Sequence, residues 1–129
     1  MGTDIGTAYS VRGEYLHREL IRALLSRLYS PIVCLESVRG TLEVTVLKKD
    51  GRMMIQLVNA NGDHSNPNVA TEDYIPACYD ISLSIALGKK PAALLLQPEG
   101  RPLDFEYADG KASVRLNCIE MHDIIEVVE

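Results

Sequence analysis

Apolar residues recur at helical spacing before Pro31 and at spacing two after it. Leu16, Leu20, Leu24 and Leu28, with Ile21, Ala23 and Leu25, form one wide stripe. Leu42, Val44 and Val46, then Ile55 and Leu57, then Ile81, Leu83, Ile85 and Leu87 alternate with their neighbours. The first period predicts an amphipathic helix and the second predicts half-buried strands. The helix is expected to start near Gly13–Glu14. Glu14 and Glu19 then lie toward its N-terminal half and Arg22 and Arg27 toward its C-terminal half, signs that suit the macrodipole. Pro31 ends it, because proline breaks the hydrogen-bond ladder and restricts the residue before it. So wide a stripe needs a surface to cover it, since each leucine left in water forfeits about 1.5–3 kcal/mol. The strands that follow, a neighbouring domain or a second chain would supply that surface.

Two Asp-Gly pairs predict hairpins. In Lys49-Asp50-Gly51-Arg52 a type I′ turn needs positive φ at both central residues, which Asp-Gly tolerates. The turn sets Val46 opposite Ile55 and Val44 opposite Leu57 on one face, with Thr45 opposite Gln56 and Leu47 opposite Met54 on the other. Ala108-Asp109-Gly110-Lys111 repeats the device. It sets Tyr107 opposite Ala112, Phe105 opposite Val114 and Leu103 opposite Leu116. Asp104, Glu106, Ser113 and Arg115 point outward, with Glu106 diagonal to Arg115.

Tyr79–Leu87 and Ala92–Gln97 read as further strands, separated by Gly88-Lys89-Lys90-Pro91. Pro98-Glu99-Gly100-Arg101-Pro102 reads as a turn. Met121–Val128 closes the chain, with Ile125 and Val127 on one side. The expected fold is mainly β: an antiparallel β-sandwich of about seven to eight strands preceded by one N-terminal amphipathic α-helix. Residues 1–31 and 32–129 are expected to be separate units.

At 129 residues, 47% hydrophobic and 24% charged, the chain can bury a core. Its net charge of −5 and the absence of a basic patch argue against a nucleic-acid partner. Lys48–Lys49 and Lys89–Lys90 sit beside turns and read as solvated corners. No apolar run reaches the roughly 20 residues that span a bilayer, so no membrane partner is expected. The first ten residues carry no basic and apolar signal regions. Cys34, Cys78 and Cys118 are odd in number and widely spaced, which suits neither a disulfide framework nor a zinc site. They read as reduced, mostly buried thiols, consistent with the cytoplasm.

The long irregular stretch is Asn59–Cys78, rich in turn formers. Asp63, His64, Asn66, Glu72 and Asp73 are its polar candidates, and a solvated crossover is the bland alternative. His17, His64 and His122 are not spaced as metal ligands, and Asp4 with Glu14 make no acid–base couple. No nucleophile motif or phosphate-cradling glycine pattern occurs. A small hydrolase would have to rely on His64 with Asp63. A carbohydrate-binding module would use the 59–78 loop, but the chain has no Trp, one Phe and six Tyr. Phe105 and Tyr107 belong to the core face, which leaves Tyr74 and Tyr79 as a sparse platform for a sugar ring. No catalytic, substrate-binding or metal residue is assigned, and no cofactor is expected.

Asp4-Ile5-Gly6, Tyr9 and His17-Arg18-Glu19-Leu20-Ile21 together resemble the last strand-to-helix segment of a flavodoxin-like domain. That domain is the trimerisation domain of bacterial multidomain β-galactosidase-like glycoside hydrolases. The C-terminal β-domain of the same proteins is similar to Leu42–Val46, Met54–Asn59 and Ile81–Ile85. Lys89-Lys90-Pro91, Leu96–Gly100 and Ile119–His122 extend the resemblance over nearly the whole chain. It implies a C-terminal fragment: residues 1–31 from the end of the trimerisation domain and residues 32–129 as the C-terminal β-sandwich. Catalysis in that family belongs to an upstream barrel, so the resemblance implies an accessory role and no catalytic residue here. It also implies partners: the barrel and trimerisation domain of the parent protein, self-association through the helix or a sheet edge, and weak carbohydrate as the alternative.

Overall fold

The computed structural model describes residues 4–13, 15–62 and 74–129. The chain divides into two compact units, Met1–Pro31 and Ile32–Glu129. Among its described residues the first holds two helices, α1 (Ile5–Arg12) and α2 (Tyr15–Leu28), where the sequence predicts one. Asp4, at the head of the segment that the resemblance reads as strand-to-helix, is the cap of α1. Its carboxylate accepts from the Thr7 backbone N–H at 3.1 Å and from the Thr7 hydroxyl at 2.6 Å, satisfying a donor the helix start leaves open. Gly13, at φ 62°, closes α1 and donates to the Tyr9 carbonyl at 2.7 Å. Only glycine takes that left-handed cap without a Cβ penalty.

The leucine stripe lies on α2 as predicted. Yet α2 has no buried residue: Leu16 is 76% exposed and Leu28 83%, and Leu20, Leu24 and Leu25 are exposed as well.

The second unit is an antiparallel β-sandwich. Among the described residues nine strands form it: β1 (Val33–Arg39), β2 (Leu42–Lys49), β3 (Arg52–Asn59), β4 (Cys78–Ala86), β5 (Ala93–Gln97), β6 (Arg101–Leu103), β7 (Phe105–Ala108), β8 (Lys111–Ile119) and β9 (His122–Val128). One sheet has the order β1-β4-β8-β7 and the other β2-β3-β9-β5-β6. Ile55, Leu57, Ile81, Leu83, Ile85, Leu94, Val114 and Ile125 fill the space between them.

The β2–β3 hairpin has the predicted register, with Val46 opposite Ile55 and Val44 opposite Leu57. Asp50 (φ 51°) and Gly51 (φ 78°) make the turn. Asp109 and Gly110 make the β7–β8 turn in the same way, and Phe105 and Tyr107 pair with Val114 and Ala112.

Leu103 departs from expectation. It pairs with Leu94 of β5, in the opposite sheet, rather than with Leu116. The chain crosses from one sheet to the other at Asp104, between β6 and β7. The stretch read as a turn through Pro102 therefore contains an edge strand, and Pro102 is tolerated there because an edge residue need not donate on its outer side.

β1 was not expected either. Its pairing with β4 shifts between Leu35 and Ser37 and again before Arg39. That irregularity moves the inward set from Val33 and Leu35 to Val38 and erases the period of two.

The two faces of one hairpin should separate cleanly in stability measurements. Ile55→Ala, in the core, is expected to cost about 2–5 kcal/mol in urea unfolding. Leu47→Ala, on the outer face, should stay within about 0.5 kcal/mol of the parent chain.

Candidate functional site

The connection between β3 and β4 is the long stretch singled out in the sequence. Asp63, His64, Asn66, Glu72 and Asp73 lie outside the described residues. Its two described ends are tied together by a small polar cluster. Asn59, only 9% exposed, donates from Nδ2 to the carbonyls of Pro76 (2.9 Å) and Glu120 (2.6 Å), and its Oδ1 accepts from the Asn61 backbone N–H (2.9 Å). Asn61 accepts from the Thr41 N–H at 2.7 Å and donates to the Pro76 carbonyl at 2.8 Å. The Cys78 thiol lies 3.4 Å from both the Thr41 carbonyl and Asn59 Oδ1, and Asn61 Nδ2 is 3.5 Å from its sulfur. Burial pushes this thiol up from its ordinary value, and the Asn61 contact partly opposes that. A buried neutral thiol beside carbonyl acceptors is a packing group rather than a nucleophile.

The other cysteines are also unbridged. Cys34 is exposed, against the sequence expectation of mostly buried thiols, because it alternates outward between Val33 and Leu35 on an edge strand. Cys118 is half-buried.

His64 lies outside the described residues. His17 is half-buried on α2 and His122 is exposed at the start of β9. Among the described residues no group of three or more His, Cys, Asp or Glu is placed to hold a metal ion. No helix among them is long and apolar enough to cross a membrane. Asp4 serves as a cap, and Glu14 lies outside the described residues.

Asp123 follows His122 and shares its parity with the inward Ile125 and Val127. Burial raises its carboxyl pKa, the charge of Glu99 adds to the rise, and His122 and Arg101 pull it back.

Among the concave surfaces of the sandwich are a notch and a trough. The notch, about 350 Å³, is lined by Met53, Leu87, Pro91 and Val127. Lys89 and Glu129, paired at 3.2 Å, flank it. The trough, about 690 Å³, lies on the outer face of the four-stranded sheet. Glu36 of β1, Ser82 of β4, Glu106 of β7 and Ser113 and Arg115 of β8 line it, with the β6–β7 crossover at its side. Ser82 pairs with Arg115 and Ser113 with Glu106, so short side chains sit beside long charged ones and leave the hollow. Glu106 and Arg115 share this face as the sequence predicts, but make no ion pair with each other. The sequence marks no site here, because the lining groups come from five strands and form no motif.

Gly40, at φ 124°, sits against the asparagine–cysteine cluster; a Cβ there would stand 2.7 Å from Asn61 Nδ2 and 2.9 Å from Cys78 Sγ. Gly40→Ala is expected to lower stability by about 1–3 kcal/mol in denaturant titration. Asp123 should act through pH. The native state holds its proton to higher pH than the unfolded chain, so its contribution is complete below the ordinary aspartate range and is lost as pH rises toward the elevated value. Asp123→Asn should therefore raise the melting temperature near pH 7 more than near pH 3, both pH values chosen to bracket the aspartate range.

No family model matches the chain, and no curated protein matches it in sequence. A solved structure does: alpha-L-fucosidase isoenzyme 2 from Paenibacillus thiaminolyticus, with a TM-score of 0.81 and 14% sequence identity. The match covers 99% of this chain and 20% of the fucosidase. At that identity the likeness shows the fold. The chain spans one fifth of that protein's length.

Proposed function

We propose that this chain is a non-catalytic accessory domain of a glycoside hydrolase, which stabilises or assembles the parent enzyme. The observation that carries the reading is the leucine face of α2. A soluble domain rarely leaves so contiguous an apolar strip in water. The fold match supplies the context: a segment of this architecture forms one fifth of a larger glycosidase. Residues 1–31 then read as the tail of a preceding folded unit, of the flavodoxin-like trimerisation type in the β-galactosidase-like version. Residues 32–129 read as a C-terminal β-domain. The resemblance to β-galactosidases and the likeness to a fucosidase agree on the class of enzyme and differ on the sugar.

The size of the strip favours a neighbouring domain over a second copy as its natural cover. A helix of 14 residues is about 21 Å long. One such face falls short of the roughly 800 Å² per partner that a stable interface buries. Isolated, the chain is left with a sticky face that associates weakly with itself.

The test is hydrodynamic and enzymatic. The purified chain should leave nitrophenyl galactosides and fucosides uncleaved and should self-associate with rising concentration in sedimentation equilibrium. Leu20→Ser with Leu24→Ser should abolish the association while the thermal transition of the sandwich stays within a few degrees, as expected of exposed substitutions. A strict monomer at high concentration, or turnover that depends on a residue of this chain, would sink the reading.

A further inference from the structure

The asparagine–cysteine cluster encloses a residue with chemistry of its own. Asn61 is followed by Gly62, the single Asn-Gly step in the chain. With no side chain on the glycine, nothing shields its peptide nitrogen from the neighbouring carboxamide. Gly62 is exposed, with its backbone at φ 131°. The reaction open to this pair needs water alone. The Gly62 nitrogen gives up its proton and bonds to Cγ of Asn61. The Cγ–Nδ2 bond breaks, and Nδ2 takes a proton from water and leaves as ammonia. The succinimide ring so formed is opened by a second water at either carbonyl, giving aspartate or isoaspartate.

The fold holds that reaction off. Both polar atoms of the Asn61 carboxamide are engaged by segments distant in the chain. Oδ1 accepts from the Thr41 N–H at 2.7 Å, while Nδ2 donates to the Pro76 carbonyl at 2.8 Å and lies 3.5 Å from Cys78 Sγ. The Asn61 backbone N–H is tied to Asn59 Oδ1 at 2.9 Å. Ring closure turns the carboxamide toward Gly62 and makes Cγ tetrahedral, so these contacts must break first. Attack waits on a local opening of the cluster, an event that does not require the whole sandwich to unfold.

The product does not fit the place it left. A carboxylate has acceptors only, so an oxygen in the Nδ2 position meets the Pro76 carbonyl with no hydrogen between them. The two acceptors repel, and the new charge is partly withdrawn from water. Isoaspartate also inserts a carbon into the main chain beside the Asn59 contact.

We propose that Asn61 is a modification site kept dormant by this cluster. Each opening exposes it to conversion, and the converted residue prevents the two described ends of the β3–β4 connection from being tied again. A transient opening is thereby made permanent. The inference concerns the sandwich alone and holds whether or not the chain serves a glycosidase.

Peptide mapping by mass spectrometry tests it, on the purified chain aged at mildly alkaline pH with and without denaturing urea. Unfolded, Asn61 should convert faster than any other asparagine of the chain. Folded, it should convert at least about tenfold more slowly, because the rate is scaled by the fraction of open clusters. Gly40→Ala places a Cβ 2.7 Å from Asn61 Nδ2 and 3.1 Å from Oδ1. It should speed conversion in the folded state about fivefold to 150-fold, with retained spectral dispersion showing that the variant is folded. Asn61→Asp, which encodes one product, should melt about 4–8 °C below the parent chain. The proposal is overturned if Asn61 converts as fast folded as unfolded, if folded Gly40→Ala leaves the rate unchanged, or if Asn61→Asp melts with the parent chain. Faster conversion in the folded chain overturns it equally, since the Thr41 N–H would then be stabilising the oxyanion formed at Oδ1 rather than holding the amide back.

Discussion

The dry aliphatic layer between the two sheets is the constraint that orders this molecule. Ile55 and Leu57 on one side face Leu83, Ile85 and Val114 on the other, and each is nearly or wholly withdrawn from water. A side chain's parity along its strand therefore fixes its fate. Inward positions must be apolar and closely fitted, while outward positions are free to be serine, arginine or glutamate. The outer trough is a by-product of that freedom, as alternate residues of β4 and β8 had no core to fill. α2 obeys no such layer. It has the stripe of a core helix and buries none of it.

Closing the layer at its margins takes special chemistry. Where β3 leaves for β4, Asn59 and Asn61 satisfy carbonyls and an N–H that a regular ladder would have paired. Gly40 is needed there because the cluster occupies the space a side chain would fill. On the opposite flank the stretch Arg101–Ala108 hems the two sheets together, with β6 in one and β7 in the other. Asp104, exposed between them, marks the crossing.

Those features differ in how visibly they are written in the chain. The β2–β3 register was legible because turn chemistry and alternation make the same demand at Asp50-Gly51. The partner of Leu103 was not, since parity tells which side a residue faces but not which sheet it joins. β1 was hidden by its irregular pairing, which breaks the period that would reveal it. α1 was hidden for another reason: its residues carry no stripe, and only the cap at Asp4 and the stop at Gly13 mark it. The trough was illegible altogether. Glu36, Ser82, Glu106 and Arg115 become neighbours through long-range strand pairing, and nothing local in the sequence announces it.

β9 is the last strand in chain order, yet it lies in the middle of its sheet, between β3 and β5, with Met53 opposite Val127. A ribosome adding about 5–20 residues per second needs roughly 4–15 seconds to travel between those two positions. Throughout that interval the nascent β2–β3 hairpin has Ile55 and Leu57 ready and an open edge where β9 belongs. Birth of this domain thus includes a vulnerable wait, ended only when its final strand emerges from the exit tunnel.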